Sequence, residues 1–286
     1  MKKSSPYSFS RHLATWPVYL RAMLGLTFAL GLVSSAVSSG RDDFNGDDSP
    51  DYVLFNHSSR QTAIWYLHDN HFAGGVFGPT LPAGWVLVST AFEPGDDEPD
   101  YILFNPTTRQ TAIWSFSGHT VSRTRFGPTL PVGWSLVAAV DFDNNGDADY
   151  VLFNLSTRQT AVWFLDSNTF ERGASGPTLP AGWSVIDAKD FDGDGRPDFV
   201  LFNASSRQTA IWYLNITAFV RGHSGPTLPP GWRLQGTDDF NRDSHEDYVL
   251  FNTSSHATAI WYLNGTTFSR GAFAPTLPAS YTLGSQ

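Results

Sequence analysis

The sequence predicts an all-β protein built from repeats, on three observations. The pair Phe-Asn recurs at Phe55-Asn56, Phe104-Asn105, Phe153-Asn154, Phe202-Asn203 and Phe251-Asn252, each step being 49 residues. The same step links Trp65, Trp114, Trp163, Trp212 and Trp261. It also links a phrase of the form GPTLPxGW ending at Trp85, Trp134, Trp183 and Trp232, which becomes APTLPASY at Tyr281. Within each copy, short runs rich in Val, Ile, Phe, Tyr and Trp alternate with turn residues, and no 3.6-residue period appears beyond residue 41. A fixed period of this length marks solenoids, propellers or arrays.

The 245 residues from Asp42 to Gln286 hold five copies of 49 without remainder: 42–90, 91–139, 140–188, 189–237 and 238–286. An open solenoid needs atypical capping repeats. Here the last copy is only mildly eroded, so a closed ring is expected. In the fourth copy, Trp183 to Ala188 reads as a first strand, Asp198 to Phe202 as a second and Thr209 to Leu214 as a third. Phe219 to Gly222 is a weaker fourth, Asn203 to Arg207 is a turn, and Gly225 to Gly231 carries the chain onward.

The third strand chooses the architecture. Thr209, Ile211 and Tyr213 face one way, and Ala210, Trp212 and Leu214 the other. Both faces carry bulky apolar groups, whereas a sheet with one wet face alternates polar and apolar. Four short strands stacked between neighbours make a propeller blade, so the prediction is a five-bladed β-propeller. Ala138, Ala139 and Gly236, before the acidic loops, suit a crowded inner strand. The fifth copy ends after its would-be first strand, Tyr281 to Gly284, and the first begins just before its acidic loop. The C-terminal strand is therefore expected to join the N-terminal blade and close the ring, removing an exposed sheet edge.

Residues 1–38 differ. Lys2, Lys3, Arg11 and Arg21 precede the apolar run Ala22 to Leu32 and the small residues 34–39. That order is expected of a secretory signal peptide. The alternative, a membrane anchor, asks for a span of ~20 apolar residues. After cleavage no membrane insertion is expected, and the location is secreted or cell-surface, periplasmic or extracellular. Removing those four basic residues leaves 14 basic against 27 acidic, a net charge of −13, with Lys189 the only lysine. This balance disfavours nucleic acid and anionic lipid as partners and leaves room for divalent cations. There is no cysteine, so stability comes from the core, ring closure and metal.

Each copy opens on an acidic loop. In the fourth, Asp190, Asp192, Asp194 and Asp198 occupy positions 1, 3, 5 and 9 of DxDxDGxxD, with Gly195 at the turn. A hard cation such as Ca²⁺ takes about six to eight oxygens at ~2.3–2.6 Å, and alternating ligands converge when a loop curls. The backbone carbonyl of Arg196 is a further candidate ligand. The third copy aligns Asp141, Asp143, Asn145 and Asp149, the first Asp43, Asn45, Asp47 and Asp51, and the fifth Asp239, Asn241, Asp243 and Asp247. The second, with Phe92, Pro94, Asp96 and Asp100, has lost ligands 1 and 3 and is expected to hold no ion. The competing reading is that Asp, Asn and Gly simply make turns. No twelfth-position Glu follows, so these are not EF-hands.

DFDGDGRPDFVLFN and DFDNNGDADYVLFN resemble the FG-GAP or VCBS repeat of integrin α-subunit propellers and many bacterial secreted proteins. The resemblance covers residues 42–286. It is specific in the third and fourth copies, weaker in the first and fifth, and poor in the second. It implies Ca²⁺ in loops joining the first two strands of a blade. The FG and GAP phrases are absent, and family propellers commonly have seven blades. Five short blades in one secreted chain are also similar in architecture to tachylectin-type propeller lectins.

Of ten Trp, nine lie in the repeats. Sugar rings dock on aromatic faces, so Trp85, Trp134, Trp183 and Trp232 are candidate ligand residues. Burial between blades is the alternative, and it is favoured for the third-strand set. Arg60, Arg109, Arg158 and Arg207, each followed by Gln, either hold a ligand or bond backbone carbonyls. Asn56, Asn154, Asn203, Asn215, Asn252 and Asn264 fit Asn-x-Ser/Thr. No cysteine nucleophile, HExxH, GxSxG or phosphate loop occurs, and the eight histidines share no repeat phase. No catalytic residue is assigned and an enzyme is not expected. The expectation is a monomeric calcium-binding propeller for recognition or adhesion, with glycans first among its ligands. The alternatives are an interaction module for extracellular proteins and a polysaccharide hydrolase.

Overall fold

The computed structural model describes residues 42–93 and 98–284, all within one compact unit. The signal-peptide expectation, and Pro94 and Asp96 of the second loop, lie outside the described residues. Twenty strands form five four-stranded antiparallel sheets, and no helix occurs among the described residues. Blade 2 holds β4 to β7 (Val86–Ala91, Asp100–Asn105, Gln110–Ser117, Thr120–Thr129). Blade 3 holds β8 to β11 (Ser135–Val140, Asp149–Asn154, Gln159–Asp166, Thr169–Thr178). Blade 4 holds β12 to β15 (Trp183–Lys189, Asp198–Asn203, Gln208–Asn215, Ala218–Thr227). Blade 5 holds β16 to β19 (Trp232–Asp238, Asp247–Asn252, Thr258–Asn264, Thr267–Ala274). Blade 1 takes β1 to β3 (Tyr52–Asn56, Gln61–His68, His71–Thr80) and, as its inner strand, β20 (Tyr281–Leu283).

The ring packs as the two-sided strands require. Five apolar clusters lie one between each pair of neighbouring blades, including blades 5 and 1. The second strands are buried along their length and the outer strands are exposed. The five third-strand Trp are half-buried. Trp163, Trp212 and Trp261 meet Phe170, Phe219 and Phe268 edge-on at 4.6–4.8 Å. These Trp are packing residues. β20 pairs antiparallel with β1, Leu54 opposite Leu283, and Gly284 N–H donates to the Val53 carbonyl at 2.7 Å.

The outer strand runs further than its composition suggests. β15 continues through Gly225-Pro226-Thr227, which the sequence reads as connector. Thr209 Oγ1 donates to the Pro226 carbonyl at 2.7 Å, and a Cβ on Gly225 would collide with that hydroxyl. Glycine at this position lets the strand lie against its neighbour. The fifth copy has Ala274 there, and its outer strand stops at that residue.

Candidate functional site

In blades 1, 3, 4 and 5 the acidic loop that leads into the second strand is built around two carboxylates. The position-1 Asp gathers backbone donors: Asp190 Oδ1 accepts from Gly193 N at 2.8 Å and Oδ2 from Gly195 N at 2.7 Å. Asp141 accepts from Gly146 N at 2.8 Å, Asp43 from Asp48 N at 2.7 Å, and Asp239 from Ser244 N at 3.0 Å. The residue giving that last donor has positive φ in all four loops: Asp48 at 65°, Gly146 at 95°, Gly195 at 80° and Ser244 at 67°. Glycine adopts this conformation freely. Asp48 and Ser244 show that the loop keeps its path when glycine is lost.

The position-9 Asp faces inward. Asp198 is buried; its Oδ2 accepts from Phe191 N at 3.1 Å and its Oδ1 from Leu214 N at 2.9 Å. Asp51, Asp149 and Asp247 make the same two bonds to Phe44 and Leu67, Phe142 and Leu165, and Phe240 and Leu263. This carboxylate staples the loop to the third strand, and Asp149 alone of the four also joins a converging carboxylate trio. Burial pushes all four up to about 7. In the second loop Asp100 instead accepts from Ser115 Oγ at 2.7 Å.

The donor set fits a hard cation. One carboxylate oxygen from each of Asp141, Asp143 and Asp149 converges in the third loop, and one from each of Asp190, Asp192 and Asp194 in the fourth. All are oxygens, with no sulfur or imidazole, the chemistry of a Ca²⁺- or Mg²⁺-type site. Among the described residues the first and fifth loops gather no such trio. There Asn45 and Asn241 replace the second carboxylate and donate to Asp47 and Asp243. The position-3 Asp is also gripped from outside: Asp143 by Arg172 at 2.9 Å and Asp192 by Arg221 at 2.8 Å. Those guanidinium groups lie 3.5 Å over the rings of Phe164 and Tyr213.

The four Arg ligand candidates point to the backbone. The Nε of Arg60, Arg109, Arg158 and Arg207 donates to the carbonyls of Leu81, Leu130, Leu179 and Leu228 at 3.0–3.1 Å. The Asn opening each turn is engaged too, with Asn203 Oδ1 accepting from Ser205 N and Ser206 N.

The four Trp candidates are half-buried at the blade seams, and what covers them differs between blades. Exposed Phe126 lies over Trp85, and exposed Phe273 over Trp232, both with ring centroids 6.1 Å apart. One repeat on, the equivalent residues in blades 3 and 4 are Ser175 and Ser224. In blade 3 a cavity of about 280 Å³ results, walled by Trp134 and Trp163 and edged by Gln159, Thr160 and Ser175. Ser175 escapes single-copy reading, because its meaning lies in the Phe-to-Ser contrast between copies.

Residues 141–201, from the third acidic loop through the fourth, match the family model of the FG-GAP-like repeat. This stretch, from the third acidic loop into the second strand of blade 4, is similar to the FG-GAP-like repeat and sits in a five-bladed propeller. No curated protein matches the chain in sequence. Among solved structures it is similar to a protein of unknown function from Bacteroides caccae (10% identity, 78% of this chain and 73% of that one, TM-score 0.44). It is similar also to a luciferin-regenerating enzyme (8%, 79% and 76%, TM-score 0.47). A third is the β-propeller domain of Myceliophteria thermophila Cps50 (Swd1) (12%, 79% and 86%, TM-score 0.41).

Proposed function

We propose that this chain is a secreted, calcium-binding propeller that recognises glycans. The observation that carries the glycan reading is the open groove of blade 3. It pairs two indole walls with the Gln159 amide and the Ser175 hydroxyl, the combination that stacks a sugar ring and bonds its hydroxyls. Blade 4 repeats the pattern at Trp183 and Ser224. Two similar weak sites on one rigid ring raise avidity without new contacts. A glycan array probed in Ca²⁺ should give selective binding, and Trp134→Ala should weaken the selected glycan about tenfold, the scale of one lost aromatic stack. A blank array overturns the glycan reading and leaves the interaction-module alternative. Exposed Phe77, Phe126 and Phe273, on the neighbouring blades 1, 2 and 5, favour that alternative.

Calcium is proposed for the third and fourth loops, where three carboxylates converge. An ion that binds only the folded chain adds about 2.7 kcal/mol at a hundredfold excess over its Kd. Thermal melts should therefore fall by about 5 °C or more on chelation. The double substitution Asp190→Ala with Asp192→Ala should cost more stability in Ca²⁺ than in chelator. Equal losses in the two buffers would remove the metal from the fourth loop.

A further inference from the structure

The two faces of the ring differ in charge. Each second strand runs from the loop before it to the turn opened by Asn56, Asn105, Asn154, Asn203 or Asn252, so those turns lie at the far end of the blade from the acidic loops. The Pro-Thr-Leu-Pro connectors reach the same end. Leu81 N donates to the Arg60 carbonyl at 2.8 Å, and the bond recurs from Leu130, Leu179, Leu228 and Leu277. Turns 56–61, 105–110, 154–159, 203–208 and 252–257 thus share one face with connectors 79–85, 128–134, 177–183, 226–232 and 275–281. The chain has 27 acidic residues, and none falls in these segments. Arg60, Arg109, Arg158 and Arg207 do, and Arg233 directly follows the fourth connector.

Elsewhere arginine finds a carboxylate: Arg125 pairs with Glu93, Arg172 with Asp143 and Arg221 with Asp192, at 2.7–2.9 Å. Among the described residues no ion pair includes any of the five arginines of this face. The Nε of the four turn arginines donates to a Leu carbonyl, which fixes the guanidinium but leaves its charge unanswered, because that acceptor is neutral. Arg60, Arg158 and Arg233 are exposed, and Arg109 and Arg207 are half-buried. A guanidinium held in place is the group that grips oxyanions through paired N–H donors.

The groove of blade 3 opens at this same end, since Gln159 of the turn and Pro131 and Trp134 of the connector border it. Its own lining carries no charge, so it suits the ring of a sugar, and the arginines lie outside it. Arg158 directly precedes Gln159, and in blade 4 Arg207 directly precedes Gln208, with Ser224 repeating Ser175. We infer that the glycan bound here is an acidic polysaccharide, whose repeating units carry carboxylate or sulfate groups. This rests on the glycan reading of the blade 3 groove. One ring stacks at Trp134 and Trp163, and the acid groups of the neighbouring units meet Arg158 and the arginines of adjoining blades. The carboxylates of the acidic loops repel such a chain from the opposite face.

The test is an array of neutral, uronate-bearing and sulfated oligosaccharides, probed with the full chain in Ca²⁺ at low and high salt. The acidic members should be selected, and raising NaCl from about 0.05 to about 0.5 M should weaken them about tenfold, because salt screens exposed charges. Arg158→Gln with Arg207→Gln should cost about tenfold in affinity for the tightest acidic oligosaccharide, the scale of one lost charged hydrogen bond. Arg158→Lys with Arg207→Lys should largely keep that affinity. Both pairs of substitutions remove the Nε bonds to Leu179 and Leu228, so a merely structural role would lower both affinities alike and overturn the inference. Selection of neutral sugars alone would keep the glycan reading and overturn this one, whereas a blank array would sink both. A chain that self-associates at low salt and ignores acidic sugars would assign the face to the acidic loops of a second copy, and that also would overturn it.

Discussion

Asp198→Ala is expected to lower stability by about 3 kcal/mol, whether or not calcium is present. The substitution orphans two buried backbone donors, Phe191 N and Leu214 N, and each such loss costs about 1–3 kcal/mol. The total is set below the maximum because Ala also relieves the burial that raises this carboxyl to about 7. For a domain of this size the melting temperature should fall by about 10 °C. Asp198→Asn keeps one acceptor but turns an amide toward the other donor, so its loss should be intermediate. Melts followed by circular dichroism in Ca²⁺ and in chelator check the result. A loss seen only in Ca²⁺ would mean that Asp198 serves the ion alone and that the staple contributes nothing.

Removing residues 279–286 should be more damaging still. β20 covers the inner edge of β1, and Leu283 is buried in the seam with Leu54 and Tyr52 of blade 1 and Phe251 of blade 5. Without it one blade keeps three strands, an unpaired edge and an open apolar seam. The loss of a buried Leu and of the strand's hydrogen bonds is put at about 5 kcal/mol. An exposed edge invites pairing with another copy. The truncated chain should elute as aggregate in size-exclusion chromatography, and a peptide of residues 279–286 added during refolding should restore monomer. Monomeric truncated chain with an unchanged melt would show that blades 5 and 1 hold together without the shared sheet.

Much of this was legible because the chain repeats itself. The period located all five blades, and the two-sided third strand chose stacking over an open sheet. The would-be first strand at the end of the fifth copy pointed to β1 as its partner, where β20 is found. Other parts were not legible, for physical reasons. A carboxylate at position 9 looks the same in sequence whether it faces an ion or two backbone amides; only the path of the loop distinguishes them. Gly225 reads as a loop residue, yet it is selected by the hydroxyl of Thr209 pressing on it from the next strand. Arg60, Arg109, Arg158 and Arg207 adopt positive φ and bond carbonyls 21 residues on, which no local pattern announces. Lys189 and Asp238 look ordinary singly, and their side chains come within 3.9 Å only because the ring brings the positions before successive loops together.

Ring closure by the last strand also sets an order in time. Blades 2 to 5 are each continuous in sequence, so each is complete once its own strands have been synthesised. Blade 1 is not: Asn56 bonds Ser280 across 224 positions. β1 must wait for β20, and contacts so distant in sequence form slowly. Until β20 has been synthesised, one blade stays unfinished and the ring open.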